Sequence, residues 1–138
     1  MFFGKSENNS QYDDLVKVAA LLIHAAKIDE NYTNEEEKII KKSLLEMGAN
    51  QTNLEKLIND AKKIEKNSTQ ILDFTKKVKN MDTHDKIKIV KTLWRIIYSN
   101  KEADMYETSL MRRLGGLLYI DNKIMGDIKN KIKNENLK

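Results

Sequence analysis

The segment LVKVAALLIHAA, at residues 15–26, is strongly apolar and decides the fold of the chain. It is followed by an acidic turn, DENYTNEE at residues 29–36, and then by an amphipathic segment that ends at Gly48. Apolar side chains recur in that second segment at helical spacing. The stretch therefore predicts a buried central helix, apolar nearly all round, joined by a polar corner to a second helix.

Helix-start signals recur along the rest of the chain, where a side-chain oxygen can accept from the free backbone N–H groups of a first helical turn. They are the capping boxes Thr33-x-x-Glu36, Thr52-x-x-Glu55 and Asp104-x-x-Glu107, and the single caps Ser68, Asp82 or Thr83, and Asp121. Gly48 is a natural helix end, and Gly115-Gly116 inside a helix predicts close approach of another backbone. Because no strand-like alternation persists, we expect an all-α fold of about seven helices joined by short loops.

The length of 138 residues suits one compact domain over residues 1–138, with residues 1–10 as a loose arm and residues 134–138 as a fraying tail. The chain has no cysteine, which excludes disulfides, thiolate metal sites and cysteine nucleophiles. Its longest uncharged apolar run, residues 18–26, is about half a membrane span, and no signal-peptide pattern opens the chain. We expect a cytoplasmic protein that is not an integral membrane protein.

The net charge is +4, from 25 Lys and Arg residues against 21 Asp and Glu residues. Only three of the basic residues are arginines, and the lysines are spread along almost every segment. Proteins that read nucleic acids favour arginine for bidentate contacts. The sequence therefore predicts a solvated surface and no nucleic-acid partner, and a lysine-driven nucleic-acid binder is kept as the third functional alternative.

A shift of 71 positions maps the first half of the chain onto the second. Leu22 maps onto Leu93, and Glu36 maps onto Glu107. In both halves an apolar helix ends in a short polar turn, and a glutamate follows seven residues after the first polar residue of that turn. The pattern predicts two pseudo-repeated helix-turn-helix units around one core, because two copies are too few for a solenoid.

With this duplicated pattern the chain resembles the TerB-like domain of tellurite resistance, whose signature in each half is an alanine-rich helix followed by D-G-x-h-x-x-x-E, with h apolar. Residues 25–36 follow the signature with Glu30 in place of the glycine. Residues 98–107 follow it with Asn100 in place of the aspartate and Lys101 in place of the glycine. The same fold resembles the N-terminal domain of a membrane-anchored DnaJ-type co-chaperone.

The resemblance covers residues 15–128 and implies a binding or scaffold module in tellurite and other stress responses, with protein partners near a membrane. It implies no enzymatic activity. It also implies that the acidic turns bind a divalent metal.

The candidate metal ligands lie in the two repeated turns. Asp29, Glu36, Asn100 and Glu107 face one another if the two halves pair, and their oxygens suit Ca²⁺ or Mg²⁺. The alternative is capping alone, because Glu36 and Glu107 occupy capping-box positions. The neutral Asn100 and the positive Lys101 weaken the metal hypothesis in the second half.

Two further patterns concern partners. Trp94 and Tyr98 lie one helical turn apart, which favours core packing, with a partner-binding groove as the alternative. Arg112 and Arg113 precede the paired glycines, which favours a solvated helix face, with an anionic partner as the alternative. His24 lies in the apolar helix and is expected to be a hydrogen-bonded core histidine.

The first functional hypothesis is thus a non-catalytic binding or scaffold module of a bacterial tellurite-resistance-type stress response, with a divalent cation at the acidic turns. The second is a co-chaperone-like protein-interaction domain without metal, with an apolar groove at Trp94 and Tyr98. An enzyme is not expected, because no nucleophile, base and orienting group occur in a recognisable pattern.

Overall fold

The computed structural model describes residues 8–27, 33–67, 72–99 and 105–136, and these residues form seven α-helices and no strand. The helices are α1 (Asn8–Ala26), α2 (Asn34–Glu46), α3 (Leu54–Asn67), α4 (Leu72–Val78), α5 (Thr83–Tyr98), α6 (Met105–Leu117) and α7 (Asn122–Asn136). The predicted all-α class is confirmed. Residues 8–10 and 134–136 belong to α1 and α7, and the division of the chain into a loose arm, one domain and a fraying tail stays a prediction.

Helix α1 is the centre of the fold. From residue 15 to residue 26 every side chain is buried except those of Lys17 and His24. The helix contacts α2, α3, α4 and α5, while α7 packs on α5 and α6 contacts α4. A helix that is apolar nearly all round is stable only when neighbours cover it on every side, and α1 is covered in this way.

Local signals set both ends of α2. Thr33 Oγ1 accepts from the Glu36 N–H at 3.1 Å, and Glu36 Oε1 accepts from the Thr33 N–H at 2.8 Å, which confirms the predicted capping box. At the other end Gly48 has a φ of +105°. The Ala49 N–H donates to the Leu44 carbonyl at 2.9 Å, and this bond across five residues is characteristic of a Schellman motif.

Helix α6 ends in the same way. It has 13 residues, as α2 does, and the two helices begin 71 positions apart, at Asn34 and Met105. The Ile120 N–H donates to the Gly115 carbonyl at 2.9 Å, and Tyr119 takes the left-handed conformation with a φ of +57°. Only at this second corner does a side chain occupy the left-handed position, which is uncommon for residues other than glycine.

Two local predictions are wrong. Thr52 does not cap α3: Asn50 Oδ1 accepts from the Thr52 N–H at 3.0 Å and caps a short 3₁₀ turn (Gln51–Asn53), and the Glu55 side chain binds Lys41 instead. The paired glycines of α6 do not meet another backbone. A Cβ at Gly115 would lie 3.2 Å from the Met125 side chain, and a Cβ at Gly116 would meet nothing within 4 Å.

His24 is hydrogen-bonded, as predicted, but it is half-buried and lies at the edge of the core. His24 Nδ1 lies 3.2 Å from Glu65 Oε2, and Lys27 Nζ donates to Glu65 Oε1 at 2.8 Å. Glu65 is buried, so the two bonds compensate its desolvation and join α1 to α3.

Candidate functional site

The predicted metal set in the repeated turns falls largely outside the described residues. Asp29 and Asn100 lie outside them, and so does the side chain of Glu107, although its backbone belongs to α6. Glu36 is 1% exposed, and its Oε1 accepts from both the backbone N–H and the hydroxyl of Thr33. The described part of this set is thus a capping box, and the pairing of the two turns stays a prediction.

A cleft of about 740 Å³ lies between the start of α1, the end of α2 and the start of α5. We call it the acidic cleft, because it is lined by four carboxylates and one lysine among the described residues. The lining residues are Gln11, Asp14, Leu15, Glu46, Met47, Gly48, Asn80, Met81, Asp82, Asp85 and Lys88. Its volume lies in the range of about 300–1,000 Å³ that is typical of ligand pockets.

The chain builds this cleft from helix ends. Asp82, one of the two predicted caps, is the N-cap of α5, and its Oδ1 accepts from the Asp85 N–H at 2.9 Å. The partial positive charge of a helix N-terminus stabilises carboxylates in that turn. Gly48 turns the chain at the end of α2, and a Cβ there would lie 3.0 Å from the Gln11 amide nitrogen.

At the edge of the acidic cleft lies a group that we call the cation cluster: Asp82, His84 and Asp85. One ligand atom from each residue lies within 4.8 Å of those of the other two. Asp82 and His84 are exposed and Asp85 is half-buried, so water has access to complete a coordination shell. Carboxylates suit Mg²⁺, Ca²⁺ and Mn²⁺, and an imidazole adds affinity for Zn²⁺ and neighbouring metals.

The cation cluster was missed from the sequence, although a signal was present. Asp82 was interpreted as a cap alone. The four letters DTHD at residues 82–85 place two carboxylates and an imidazole in one helical turn. Asp14 and Glu46 gave no such signal, because they reach the same cleft from other helices.

The second site surrounds Trp94 and Tyr98, which are both core residues. Their exposed fractions are 3% and 7%, and their rings stack with centroids 5.7 Å apart and planes at 23°. A cavity of about 170 Å³ lies beside Trp94 between α5, α6 and α7. We call it the basic pocket, and its lining residues are Trp94, Met111, Arg112, Gly115, Asn122, Met125, Gly126 and Lys129.

The charge of the basic pocket is opposite to that of the acidic cleft. Arg112 and Lys129 contribute two cations, and no carboxylate occurs among its described lining residues. Lys129 Nζ lies 5.5 Å from the centroid of the Trp94 ring, in a cation–π contact. An apolar side chain from a protein partner would have to enter between these two charges.

The family of the chain follows from a match to a protein-family model. A family model described as tellurite resistance protein TerB matches residues 15–130. The chain belongs to this TerB family. The match confirms the resemblance that residues 25–36 and 98–107 carry in the sequence. No curated protein and no solved structure gives a significant match to this TerB-family chain.

None of the described helices of the TerB-family chain combines the length and the apolar composition needed to cross a bilayer.

Proposed function

We propose that this TerB-family chain is a non-catalytic binding module of a bacterial tellurite-resistance-type stress response, and that it binds a divalent cation at its acidic cleft. The observation that carries the cation proposal is the cation cluster, in which ligand atoms of Asp82, His84 and Asp85 lie within 4.8 Å of one another. Membership of the TerB family supports the link to the stress response.

The charge around the cation cluster supports a cationic ligand. Asp14 and Glu46 line the same cleft as Asp82 and Asp85, against the single cation of Lys88. The chain as a whole carries a net charge of +4, so the negative charge of the cleft is opposite to the net charge of the protein. Clefts lined by one sign of charge concentrate ions of the opposite sign.

The ligand chemistry sharpens the expected metal. Asp82 uses Oδ1 to cap α5, and its second carboxylate oxygen is available to a metal without loss of the cap. His84 brings a nitrogen that Ca²⁺ and Mg²⁺ do not require, so Mn²⁺ and Zn²⁺ join the Ca²⁺ or Mg²⁺ class predicted from the sequence.

The proposal assigns each of the two histidines a role other than catalysis. His24 is engaged by Glu65, and His84 lies in the cation cluster. The cytoplasmic location predicted from the sequence forms part of the proposal.

Titration calorimetry with Ca²⁺, Mg²⁺, Mn²⁺ and Zn²⁺ tests the cation site. The variant Asp82→Asn/Asp85→Asn removes two charges but keeps the α5 cap, because asparagine caps helices as well as aspartate does. We expect it to weaken binding by at least about tenfold, since bonds to charged groups are the strong ones. Asp127→Asn, an exposed substitution on α7, is the control and should leave binding unchanged.

A second variant, Asp29→Asn/Glu36→Gln, distinguishes the two candidate sites. If it abolishes binding while the variant at residues 82 and 85 binds normally, the repeated turns hold the metal and the acidic cleft does not. If none of the four ions binds the unaltered protein, the cation proposal fails and the binding module remains without a metal.

The two alternatives for function have less support. A co-chaperone-like groove at Trp94 would need an apolar surface, whereas the cavity there is small and carries Arg112 and Lys129. The exposed large apolar residues in the described part of the chain are scattered over α2, α3 and the turn after α6: Leu45, Ile64 and Tyr119. A nucleic-acid binder would lose affinity steeply with added salt, and the acidic cleft interrupts the basic surface that it would need.

A further inference from the structure

We propose that the basic pocket is a binding site for a tetrahedral oxyanion of the phosphate class. The donors come from three helices: Trp94 from α5, Arg112 from α6, and Asn122 and Lys129 from α7. The basic pocket shares no described lining residue with the acidic cleft. A test of the oxyanion site is therefore independent of a test of the cation site.

The first observation is an unpartnered donor. Trp94 Nε1 is buried, and no acceptor of the described residues lies within hydrogen-bond distance of it. An indole N–H only donates, so no rotation or change of tautomer can satisfy it. Buried polar groups without a partner are uncommon in proteins because each costs its full desolvation, and this unpartnered donor belongs to a residue that lines the pocket.

The second observation is the charge of the wall. The Arg112 guanidinium carries a delocalised positive charge and has five N–H donors. Lys129 is held over the Trp94 ring, so its charge lies close to the indole. Neither cation forms an ion pair with a carboxylate of the described residues, in contrast to Arg95, whose Nε lies 3.4 Å from Glu135.

The third observation is size. The cavity of about 170 Å³ is smaller than the roughly 300–1,000 Å³ of pockets for drug-sized ligands. At about 30 Å³ for each water of liquid volume, it has room for about six water molecules. Such a space accommodates one small anion. Donors from three helices match four tetrahedral oxygens better than the two oxygens of a planar carboxylate.

The only tryptophan of the chain is Trp94, so its indole N–H resonance reports on this pocket alone. We expect inorganic phosphate, titrated at constant ionic strength against chloride, to shift this resonance saturably. Arg112→Gln and Lys129→Gln should each weaken the apparent affinity by about tenfold, as expected for loss of a charge-assisted bond. Arg113→Gln, an exposed neighbour outside the pocket, is the matched control and should retain the affinity of the unaltered protein.

Three outcomes overturn the site: no saturable shift, an equal shift with chloride, or affinities that Arg112→Gln and Lys129→Gln leave unchanged in proteins of normal helical content. Acetate that binds as tightly as phosphate overturns the tetrahedral assignment. Vesicles of zwitterionic lipid with and without phosphatidic acid identify the source of the phosphate. If the protein binds vesicles that contain phosphatidic acid but not purely zwitterionic ones, and if this binding depends on Arg112 and Lys129, the ligand is a lipid headgroup. If it binds neither kind of vesicle, the ligand is a free phosphate.

Discussion

The acidic cleft and the basic pocket have similar apolar parts and opposite polar parts. Each is lined by two methionines and at least one glycine, and each lies where three helices meet. The cleft adds four carboxylates and one lysine, whereas the pocket adds an arginine, a lysine and a buried indole N–H without a partner. Flexible apolar side chains thus shape both spaces, and the charged groups on neighbouring helices decide which ions enter them.

The two sites also differ in how their backbones are constrained. Gly48 in the cleft has a φ of +105°. Gly126 in the pocket lies within α7, and a Cβ there would meet nothing within 4 Å. The same substitution is therefore expected to have opposite effects on stability at the two sites.

The largest effect is expected from Gly48→Ala. Alanine must adopt a conformation that L residues rarely take, which costs about 1–3 kcal/mol. Urea unfolding should show a lower midpoint with an unchanged slope. A midpoint equal to that of the unaltered protein would mean that α2 ends without the left-handed turn. Gly48 would then not shape the acidic cleft in this way.

A smaller effect of opposite sign is expected from Gly126→Ala. Alanine is favoured over glycine in a helix interior by about 1 kcal/mol, and the space beside Gly126 admits a methyl group. The unfolding midpoint should rise. Gly116→Ala on α6, which also has open space but does not line the pocket, is the matched control and should give a similar rise. A fall in stability for Gly126→Ala alone would show that the space beside Gly126 is too narrow for a methyl group.

The smallest effect concerns pH, and it separates the surroundings of the two sites. Next to the cleft residue Gln11, the Tyr12 hydroxyl donates to Asp60 at 2.5 Å and joins α1 to α3. Burial, followed by this bond and the charge of Asp60, raises the pKa of Tyr12 to about 12. Since the folded-state pKa lies above the ordinary value of 10.0, the contribution to stability is complete below pH 10 and is lost as pH rises toward 12.

Comparison with Tyr12→Phe isolates this contribution from the lysines that titrate in the same range. At neutral pH the variant should be less stable by at most about 1 kcal/mol, the usual value of one hydrogen bond. The difference in unfolding free energy should shrink between pH 10 and pH 12. A difference that stays constant over this range would show that burial and the bond to Asp60 do not raise the pKa of Tyr12. Lys91 on α5 contributes a pH dependence of the opposite sign. Because its pKa is lowered in the folded protein, mainly by burial, the fold gains stability as pH rises toward 10.5.

The features that were predictable from the sequence are those that a few neighbouring residues decide. The capping box at Thr33, the left-handed end at Gly48 and the N-cap Asp82 depend on hydrogen bonds that span three to five residues. The apolar pattern of residues 15–26 was sufficient to predict a central buried helix. The prediction at Thr52 failed for the same reason that the others succeeded, since Asn50 offers its side chain to the same backbone two residues earlier.

The two sites depend on tertiary structure. Asp14, Glu46 and Asp82 are more than thirty residues apart in the chain and share one cleft only because α1, α2 and α5 end at the same place. Likewise, the sequence showed that Arg112 lies on a helix, but not that Lys129 and the Trp94 indole lie beside it. Helix formation follows from local spacing and capping, whereas the angles at which helices pack depend on the fit of many buried side chains together. The sequence by itself therefore determined the helices and the family of this protein, and the packing of those helices decided which charges meet.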